Sequence, residues 1–265
     1  MTFKKEVQLL TLLILVLLLA MSFENTGKNK KDIVYINEYR YNRDMKRLQV
    51  IVDNTSADGV IVYDTSADII LGGKNLEKTY SLASLTKIVT AVMVYEKDKN
   101  LLNDIRGMLK TSDNKQAELL AKTFGHDELA QTANMNRFTK RFGGLYFRNV
   151  SGLDLILSTS TDERLPGGLG KPAPLAKFIK EYYFKYPELF DQTLVTQNNT
   201  NLIVNQLSFL NGGKTGFTNL SGGNLFVSIQ KGLDRQIFII ILNSTEKNRF
   251  VDIQNIANFL LQSSI

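Results

Sequence analysis

The chain has 265 residues, of which 43% are hydrophobic and 22% are charged, and its formal net charge at pH 7 is +6. These proportions are those of a soluble globular protein and exclude a collagen-like, coiled-coil or predominantly disordered chain. The sequence has no cysteine, which excludes disulfides and thiol chemistry, and it lacks the basic stripe interleaved with aromatic residues that nucleic-acid binding would require.

The first residues have the pattern of an export signal. Lys4 and Lys5 precede an apolar run over residues 9–21 that only Thr11 interrupts. The run has the length of a signal-peptide core and is short for a membrane-spanning helix. We therefore predict that residues 1–23 are either a signal peptide or an uncleaved anchor that attaches the chain to the membrane. Either way, we expect the rest of the chain on the extracytoplasmic face of the cell membrane or in the cell wall.

The next segment, residues 24–44, is polar, has an excess of basic residues and shows no hydrophobic periodicity. We interpret it as a basic linker. Residues 45–265 have the length of one large domain, and we predict that they form the catalytic domain whose motifs are described below.

The remaining sequence predicts strands near both ends and helices between them. β-Branched runs predict early strands, 3.6-residue periodicity predicts the helices, and two apolar runs around a turn predict late strands. We expect an α/β (α+β) fold in which an antiparallel sheet, built from both chain ends, is flanked by helices. The predicted strands are 48–53, 59–63, 69–71, 225–229 and 236–242; the predicted helices are 84–95, 102–110, 114–123, 128–141, 173–184 and 248–262.

The first motif with chemical meaning is Ser84-Leu-Thr-Lys87. At the start of a helix, a spacing of three residues places both side chains on one face, where a lysine of lowered pKa can take the proton of a serine hydroxyl. The spacing alone is weak, because it also occurs from Ser112 and from Ser244. A Ser-His-Asp triad would depend on the single histidine, His126, whose polar surroundings are typical of a surface residue.

Two more motifs follow. Ser112-Asp-Asn114 precedes a predicted helix and is locally interpreted as an ordinary helix N-cap. Lys214-Thr-Gly216 follows two glycines and is locally interpreted as a turn into an edge strand. Together and in this order, the three motifs are typical of class A β-lactamases and penicillin-binding proteins.

The surroundings of the motifs resemble the low-molecular-mass D-alanyl-D-alanine carboxypeptidases, which are penicillin-binding proteins of the S11 peptidase family and the β-lactamase/transpeptidase-like superfamily. The resemblance covers nearly all of the chain after the predicted linker. It is carried by residues 83–91, 112–121, 149–154 and 212–224, with Ser151 where histidine is common. One departure is the short separation of 28 positions between Ser84 and Ser112, where relatives usually carry an additional segment.

The resemblance implies catalytic roles for four residues. Ser84 would attack the carbonyl of the penultimate D-alanine of a peptidoglycan stem peptide ending in D-Ala-D-Ala, and Lys87 would take its proton. Ser112 would relay a proton to the leaving amine, and Asn114 would hold the substrate amide and Lys87. Terminal D-alanine would leave and water would release the acyl-enzyme. No cofactor or metal is implied, and β-lactam antibiotics would be covalent inhibitors.

The resemblance also implies a substrate-binding strand. Lys214 and Thr215 would bind the terminal carboxylate, and Lys214 would help to keep Lys87 neutral. Gly216 belongs to the same strand, and the backbone amides of Phe217 and Ser84 would form an oxyanion hole.

Two other functions remain open. A class A-like serine β-lactamase shares the motifs but needs a glutamate that activates a water, and Glu163 is the nearest candidate. A catalytically inactive wall-binding homologue would explain the short region before Ser112.

Overall fold

A computed structural model describes residues 38–265 of the chain, except residues 159 and 208. The predicted leader and most of the predicted linker lie outside this range, so both stay predictions. Within the described range, none of the helices combines the length and the apolar character that a membrane crossing requires.

The chain divides into two compact units. The described part of the smaller unit comprises residues 38–46 and Ser263–Ile265. In it, the Asp44 carboxylate accepts hydrogen bonds of 2.9 Å from both the backbone nitrogen and the hydroxyl of Ser264. These bonds, led by the backbone one, lower the pKa of Asp44 to about 2. The larger unit, Arg47–Gln262, contains all the motifs.

The first described element is helix α1, residues 38–53. The predicted strand over residues 48–53 is therefore wrong. Leu48 and Val52 are fully buried, whereas Val50 between them is 59% exposed. Burial four residues apart is helical periodicity, and the β-branched composition had suggested a strand.

The larger unit is built on a five-stranded antiparallel sheet with the order β2-β1-β10-β9-β8. Two strands come from the early part of the chain and three from the late part, so the predicted sheet built from both ends is confirmed. Its strands are β1 (Gly59–Asp64), β2 (Ile69–Lys74), β8 (Leu210–Thr218), β9 (Gly222–Lys231) and β10 (Arg235–Ser244).

The helices lie between and after these strands, as predicted. Helix α2 is buried from Thr86 to Tyr95 and contributes to the main hydrophobic cluster. Helix α6 packs against β1 and β10, and α7 packs against β9 and β10. The helices are α2 (Thr86–Lys97), α3 (Leu102–Thr111), α4 (Asn114–Ala121), α5 (Glu128–Thr139), α6 (Pro172–Lys185) and α7 (Asn248–Gln262).

Short strands form two further sheets, ordered β3-β7-β4 and β5-β6, which the sequence did not predict. Strands of two to four residues are too short to show an alternating pattern. The strands are β3 (Tyr80–Ser81), β4 (Leu145–Phe147), β5 (Leu155–Ser158), β6 (Glu163–Leu165) and β7 (Gly168–Gly170). Gly212 and Gly213, which the sequence suggested as a turn, lie within strand β8. The pairing of β8 with β9 shifts its register between Leu210 and Gly212.

Candidate active site

Ser84 lies in a short 3-10 turn, Ala83–Leu85, that leads directly into helix α2. Ala83 is buried and has a φ of +47°, in the left-handed region that residues with a side chain rarely occupy. Such a conformation persists only where the surrounding structure imposes it, and it is frequent at functional sites.

Two glycines lie in close contact with this turn. Gly152 has a φ of +82°, and a Cβ atom built on it would lie 1.8 Å from the carbonyl oxygen of Ala83. A Cβ atom on Gly216 would lie 3.1 Å from the backbone nitrogen of Ser84. The turn therefore fits between the 149–154 loop and strand β8, with the Ser84 amide facing the strand.

Lys87 is fully buried one helical turn after Ser84. Its Nζ atom donates to Ser84 Oγ at 2.8 Å, to Asn114 Oδ1 at 2.6 Å and to the carbonyl oxygen of Ser151 at 2.9 Å. Burial lowers the pKa of Lys87 to about 7, against the opposing effect of the Asp113 and Glu118 carboxylates. A substantial fraction of Lys87 is therefore neutral near pH 7, and a neutral amine has a lone pair that can accept the Ser84 proton.

Ser112 and Asn114 occupy the junction between α3 and α4. Ser112 ends α3 with a φ of 62°, and Asp113 caps α4 by accepting a hydrogen bond from the Gln116 nitrogen at 3.1 Å. The N-cap interpretation is therefore correct for Asp113. Because Asp113 supplies the cap, the side chains of Ser112 and Asn114 can make other contacts. Ser112 Oγ accepts a hydrogen bond from Lys214 Nζ at 2.8 Å, and Asn114 Oδ1 accepts the one from Lys87 described above.

Lys214 lies in strand β8 and is 2% exposed. Besides Ser112, its Nζ atom donates to the carbonyl oxygen of Thr215 at 2.8 Å. The pKa of Lys214 is well below its ordinary value because of burial first, then repulsion from Lys87 and from Arg249. Among the described residues, neither Lys214 nor Arg249 forms a salt bridge, so an anion bound beside them would stabilise their charged forms.

Arg249 is a site residue that the sequence interpretation missed. It lies in the first turn of α7, is 6% exposed, and donates from Nη1 to the carbonyl oxygen of Gly216 at 2.6 Å. Its Nε atom is buried without a hydrogen-bond partner among the described residues. A usable signal existed, because a cation at the N-terminal end of a helix is electrostatically unfavourable and suggests another role.

Thr200 was also missed, and it comes from the irregular segment before β8. Its hydroxyl lies 2.5 Å from the Thr215 hydroxyl. It also bonds through its backbone nitrogen to the Lys110 carbonyl oxygen. Nothing in the local sequence distinguishes this threonine.

These residues surround one open cleft of about 760 Å³. Of the predicted site residues, Ser84, Ser112, Thr215, Gly216 and Phe217 line it directly. The other three are joined to it by the hydrogen bonds described above. The structure thus brings all eight together, although their catalytic and binding roles stay predictions. The cleft is lined by Ser84, Ser112, Thr200, Leu202, Thr215, Gly216, Phe217, Glu246, Lys247, Arg249 and Phe250.

The competing candidates lie elsewhere. Glu163 is exposed in strand β6 and does not line the cleft. The His126 side chain is 88% exposed and pairs with Asp127. The Ser244 hydroxyl bonds to Ser56 at 2.6 Å rather than to a lysine.

Comparison with protein-family models gave no match, and comparison with curated proteins gave none either. Solved structures do resemble the chain. Penicillin-binding protein D2 from Listeria monocytogenes, in its ampicillin-bound form, is 22% identical with a TM-score of 0.68, over 78% of this chain and 98% of that one.

Two further structures are similar. A D-alanyl-D-alanine carboxypeptidase from Mycobacterium tuberculosis is 17% identical with a TM-score of 0.66, over 79% of this chain and 92% of that one. A mutant DD-transpeptidase from Streptomyces is 16% identical with a TM-score of 0.64, over 78% of this chain and 98% of that one. The chain therefore has the fold of the penicillin-binding proteins and D-alanyl-D-alanine carboxypeptidases.

Proposed function

We propose that the chain is a serine D-Ala-D-Ala carboxypeptidase that removes the terminal D-alanine from peptidoglycan stem peptides through an acyl-enzyme on Ser84. The observation that carries this proposal is the buried amine of Lys87, which lies 2.8 Å from the Ser84 hydroxyl and has a pKa of about 7. A lysine in this state is a base, whereas an ordinary lysine is an ammonium ion.

In the acylation step, Ser84 Oγ attacks the carbonyl carbon of the penultimate D-alanine while Lys87 Nζ accepts its proton. The oxyanion is stabilised by the backbone N–H groups of Ser84 and Phe217, each typically worth about 10²–10³ in rate. The C–N bond then breaks, and Ser112, held by Lys214, relays the proton from Lys87 to the leaving amine, so that Lys87 is neutral again and the Ser112 hydroxyl is restored. The products are free D-alanine and an ester on Ser84.

In the deacylation step, water attacks the ester carbon and Lys87 accepts a proton from it. The ester C–O bond breaks, and the Ser84 oxygen recovers that proton from Lys87, which is left neutral. Glu163, the candidate for activating a water in a β-lactamase, is exposed in strand β6 and does not line the cleft. We therefore expect penicillin to remain bound to Ser84 as a slowly hydrolysed ester.

The terminal carboxylate of the substrate would bind to the cationic side of the cleft. Thr215 and Arg249 line the cleft, and Lys214 is joined to it through its hydrogen bond to Ser112. An anion there gains from the otherwise unbalanced positive charge of Lys214 and Arg249. This arrangement favours a substrate with a free carboxylate next to the scissile bond, which the terminal residue of a stem peptide supplies.

The expected location also belongs to this proposal. A cell-wall substrate requires an exported enzyme, and residues 1–23 would supply the export signal or the membrane anchor. Peptidoglycan and β-lactams are the proposed partners.

The proposal is tested by incubating the purified protein with benzylpenicillin and measuring its intact mass, and by measuring D-alanine release from a peptide ending in D-Ala-D-Ala. We expect a mass increase of one penicillin and release of D-alanine. Ser84→Ala should lose both, whereas Ser160→Ala, which removes an exposed hydroxyl, should keep both. Rapid turnover of penicillin without a lasting adduct would indicate a β-lactamase. The absence of both the adduct and D-alanine release would indicate an inactive wall-binding protein.

A further inference from the structure

Besides the residues of the proposed carboxylate site, the lining of the cleft includes an apolar region. Its walls are the side chains of Leu202, Phe217 and Phe250. Leu202 is 65% exposed and Phe217 is 46% exposed, so both still offer apolar surface that a ligand could cover. The volume of about 760 Å³ lies within the range of sites that bury drug-sized ligands, about 300–1,000 Å³.

The apolar walls are attached to the same segments as the polar groups of the cleft. Phe250 follows Arg249, whose guanidinium lies 4.8 Å from the centre of the Phe250 ring. Phe217 follows Gly216, whose carbonyl oxygen accepts the Arg249 hydrogen bond. Leu202 is two residues from Thr200, whose hydroxyl contacts that of Thr215.

This arrangement determines which part of a substrate would meet the apolar walls. A terminal carboxylate bound near Thr215 and Arg249 lies one bond from the α-carbon of its own residue. The side chain on that α-carbon therefore lies in the same cleft as Phe250 and Leu202, which offer it apolar surface. A methyl group would cover little of these three large side chains, whereas a branched aliphatic or aromatic group would cover much more.

Apart from Arg249, which is assigned to the carboxylate, the charged residues that line the cleft favour neither a cationic nor an anionic side chain. Glu246 and Lys247 are neighbours, both line the cleft, and their formal charges cancel. The selective element of this region is therefore its apolar surface.

We propose that this region, which we name the leaving-residue pocket (Leu202, Phe217 and Phe250), binds the side chain of the terminal residue that the enzyme releases. Its ligands are D-amino acids with apolar side chains larger than methyl, such as D-leucine or D-phenylalanine. This inference rests on the proposed carboxypeptidase function. It extends that function to peptides that end in D-Ala followed by a bulky apolar D-residue.

The test compares kcat/KM for four peptides that differ only in the terminal residue: D-Ala, D-Leu, D-Phe and D-Lys. We expect the D-Leu or D-Phe peptide to exceed the D-Ala peptide by at least about tenfold, the lower range for additional buried methylene groups. Equal or better cleavage of the D-Ala peptide, or strongest cleavage of the D-Lys peptide, would overturn the proposal.

Variants locate the effect in the pocket. Leu202→Ser and Phe250→Ala should each reduce the ratio of D-Leu to D-Ala cleavage by about tenfold. Leu129→Ser, at a leucine of α5 that is 80% exposed and outside the cleft, should leave the ratio unchanged. If Phe250→Ala does not fold, Leu202→Ser carries the test, because its side chain is largely exposed. An unchanged ratio in folded Leu202→Ser would overturn the proposal.

Penicillin labelling separates this inference from the function on which it rests. Labelling of Ser84 together with a preference for D-Ala peptides would overturn the leaving-residue pocket alone. If Ser84 is not labelled and none of the four peptides is cleaved, the carboxypeptidase function is overturned, and the pocket with it.

Discussion

Lys87 and Leu202 belong to the same site, but the first is fully buried in a helix and the second is 65% exposed in an irregular segment. At the base of the cleft, Lys87 has three hydrogen-bond partners and the serine turn is confined by two glycines. At the outer wall, Leu202 and Phe217 expose apolar surface. In the proposed enzyme this difference would separate two tasks. The base would hold the reacting groups and set their pKa values, whereas the outer wall would determine which substrates bind.

This comparison predicts that changes at the base reduce the rate for every substrate, whereas changes at the outer wall reduce it selectively. The largest effect is expected for Lys87→Ala. General-base catalysis typically contributes about 10²–10⁴ in rate, and the variant also leaves Asn114 Oδ1 and the Ser151 carbonyl oxygen without their donor. The acylation rate with benzylpenicillin, measured by stopped-flow or mass spectrometry, should therefore fall by a factor of about 10²–10⁴.

The matched control is Lys115→Ala, which removes an exposed lysine three residues after Ser112. It should acylate at the normal rate. Fast acylation of a correctly folded Lys87→Ala variant would show that another group acts as the base.

Gly152→Ala should affect both stability and rate. Its methyl group would collide with the Ala83 carbonyl oxygen and would also occupy a left-handed φ. We expect a loss of about 1–3 kcal/mol in the free energy of unfolding. Acylation should slow by about 10², because displacement of the reacting hydroxyl by about 1 Å has effects of this size. Thermal denaturation and penicillin acylation measure the two.

Gly143→Ala separates the collision from the backbone conformation. Gly143 has a φ of +66° and no atom within 4 Å of its built Cβ position. The variant should therefore lose some stability and keep its acylation rate. Equal rates in Gly152→Ala and Gly143→Ala would mean that the glycine contact does not position Ser84.

Arg249→Gln should affect carboxylate recognition selectively. A hydrogen bond to a charged group contributes about 1.5–3 kcal/mol, so kcat/KM for a peptide with a free carboxyl terminus should fall about tenfold or more. The same peptide with an amidated terminus should be affected much less. Arg141→Gln, at an exposed arginine that pairs with Glu181, is the control. An equal loss for acid and amide peptides would assign Arg249 a structural role.

The smallest effect is a shift in pH dependence. The pKa of Lys87 is lowered to about 7, so the neutral base, and with it the acylation rate, should increase as pH rises through 7. Asn114→Asp would place a carboxylate beside Nζ, raise the pKa of Lys87 and move this increase to higher pH. Gln116→Glu, which adds the same charge later in α4, should give a smaller shift. An unchanged pH profile in Asn114→Asp would contradict the assignment of Lys87 as base.

The same pKa predicts a change in stability with pH. The ordinary lysine pKa is 10.5, so the unfolded chain binds more protons than the folded one between about pH 7 and 10.5. The contribution of Lys87 to folding stability therefore increases as pH rises across this range. The free energy of unfolding of the wild type, measured by urea denaturation relative to that of Lys87→Met, should therefore increase as pH rises across this range.

Much of the fold could be predicted from the sequence because the long elements have clear periodicity. Helices α3, α6 and α7 begin and end within a residue or two of the prediction. The strand predicted over residues 48–53 failed because β-branched composition was given more weight than the four-residue spacing of Leu48 and Val52. The short strands of the two small sheets depend on tertiary pairing and have no local signal.

The site divides in the same way. Ser84, Lys87, Ser112 and Lys214 were found because they occur in short motifs in a known order. Thr200 and the Ser151 carbonyl oxygen act through position alone, and the close contact of Gly152 with Ala83 exists only in the folded chain. Sequence patterns report which groups are present, whereas the strain and burial that change their chemistry come from long-range packing.

The central claim is that Ser84 is a nucleophile activated by Lys87. It is tested most directly by treating the intact protein with benzylpenicillin, digesting it and identifying the modified peptide by mass spectrometry at pH 6 and pH 8. The account predicts one adduct, on Ser84, that forms faster at pH 8 and persists after free penicillin is removed. An unmodified protein, or an adduct on another serine, would contradict it.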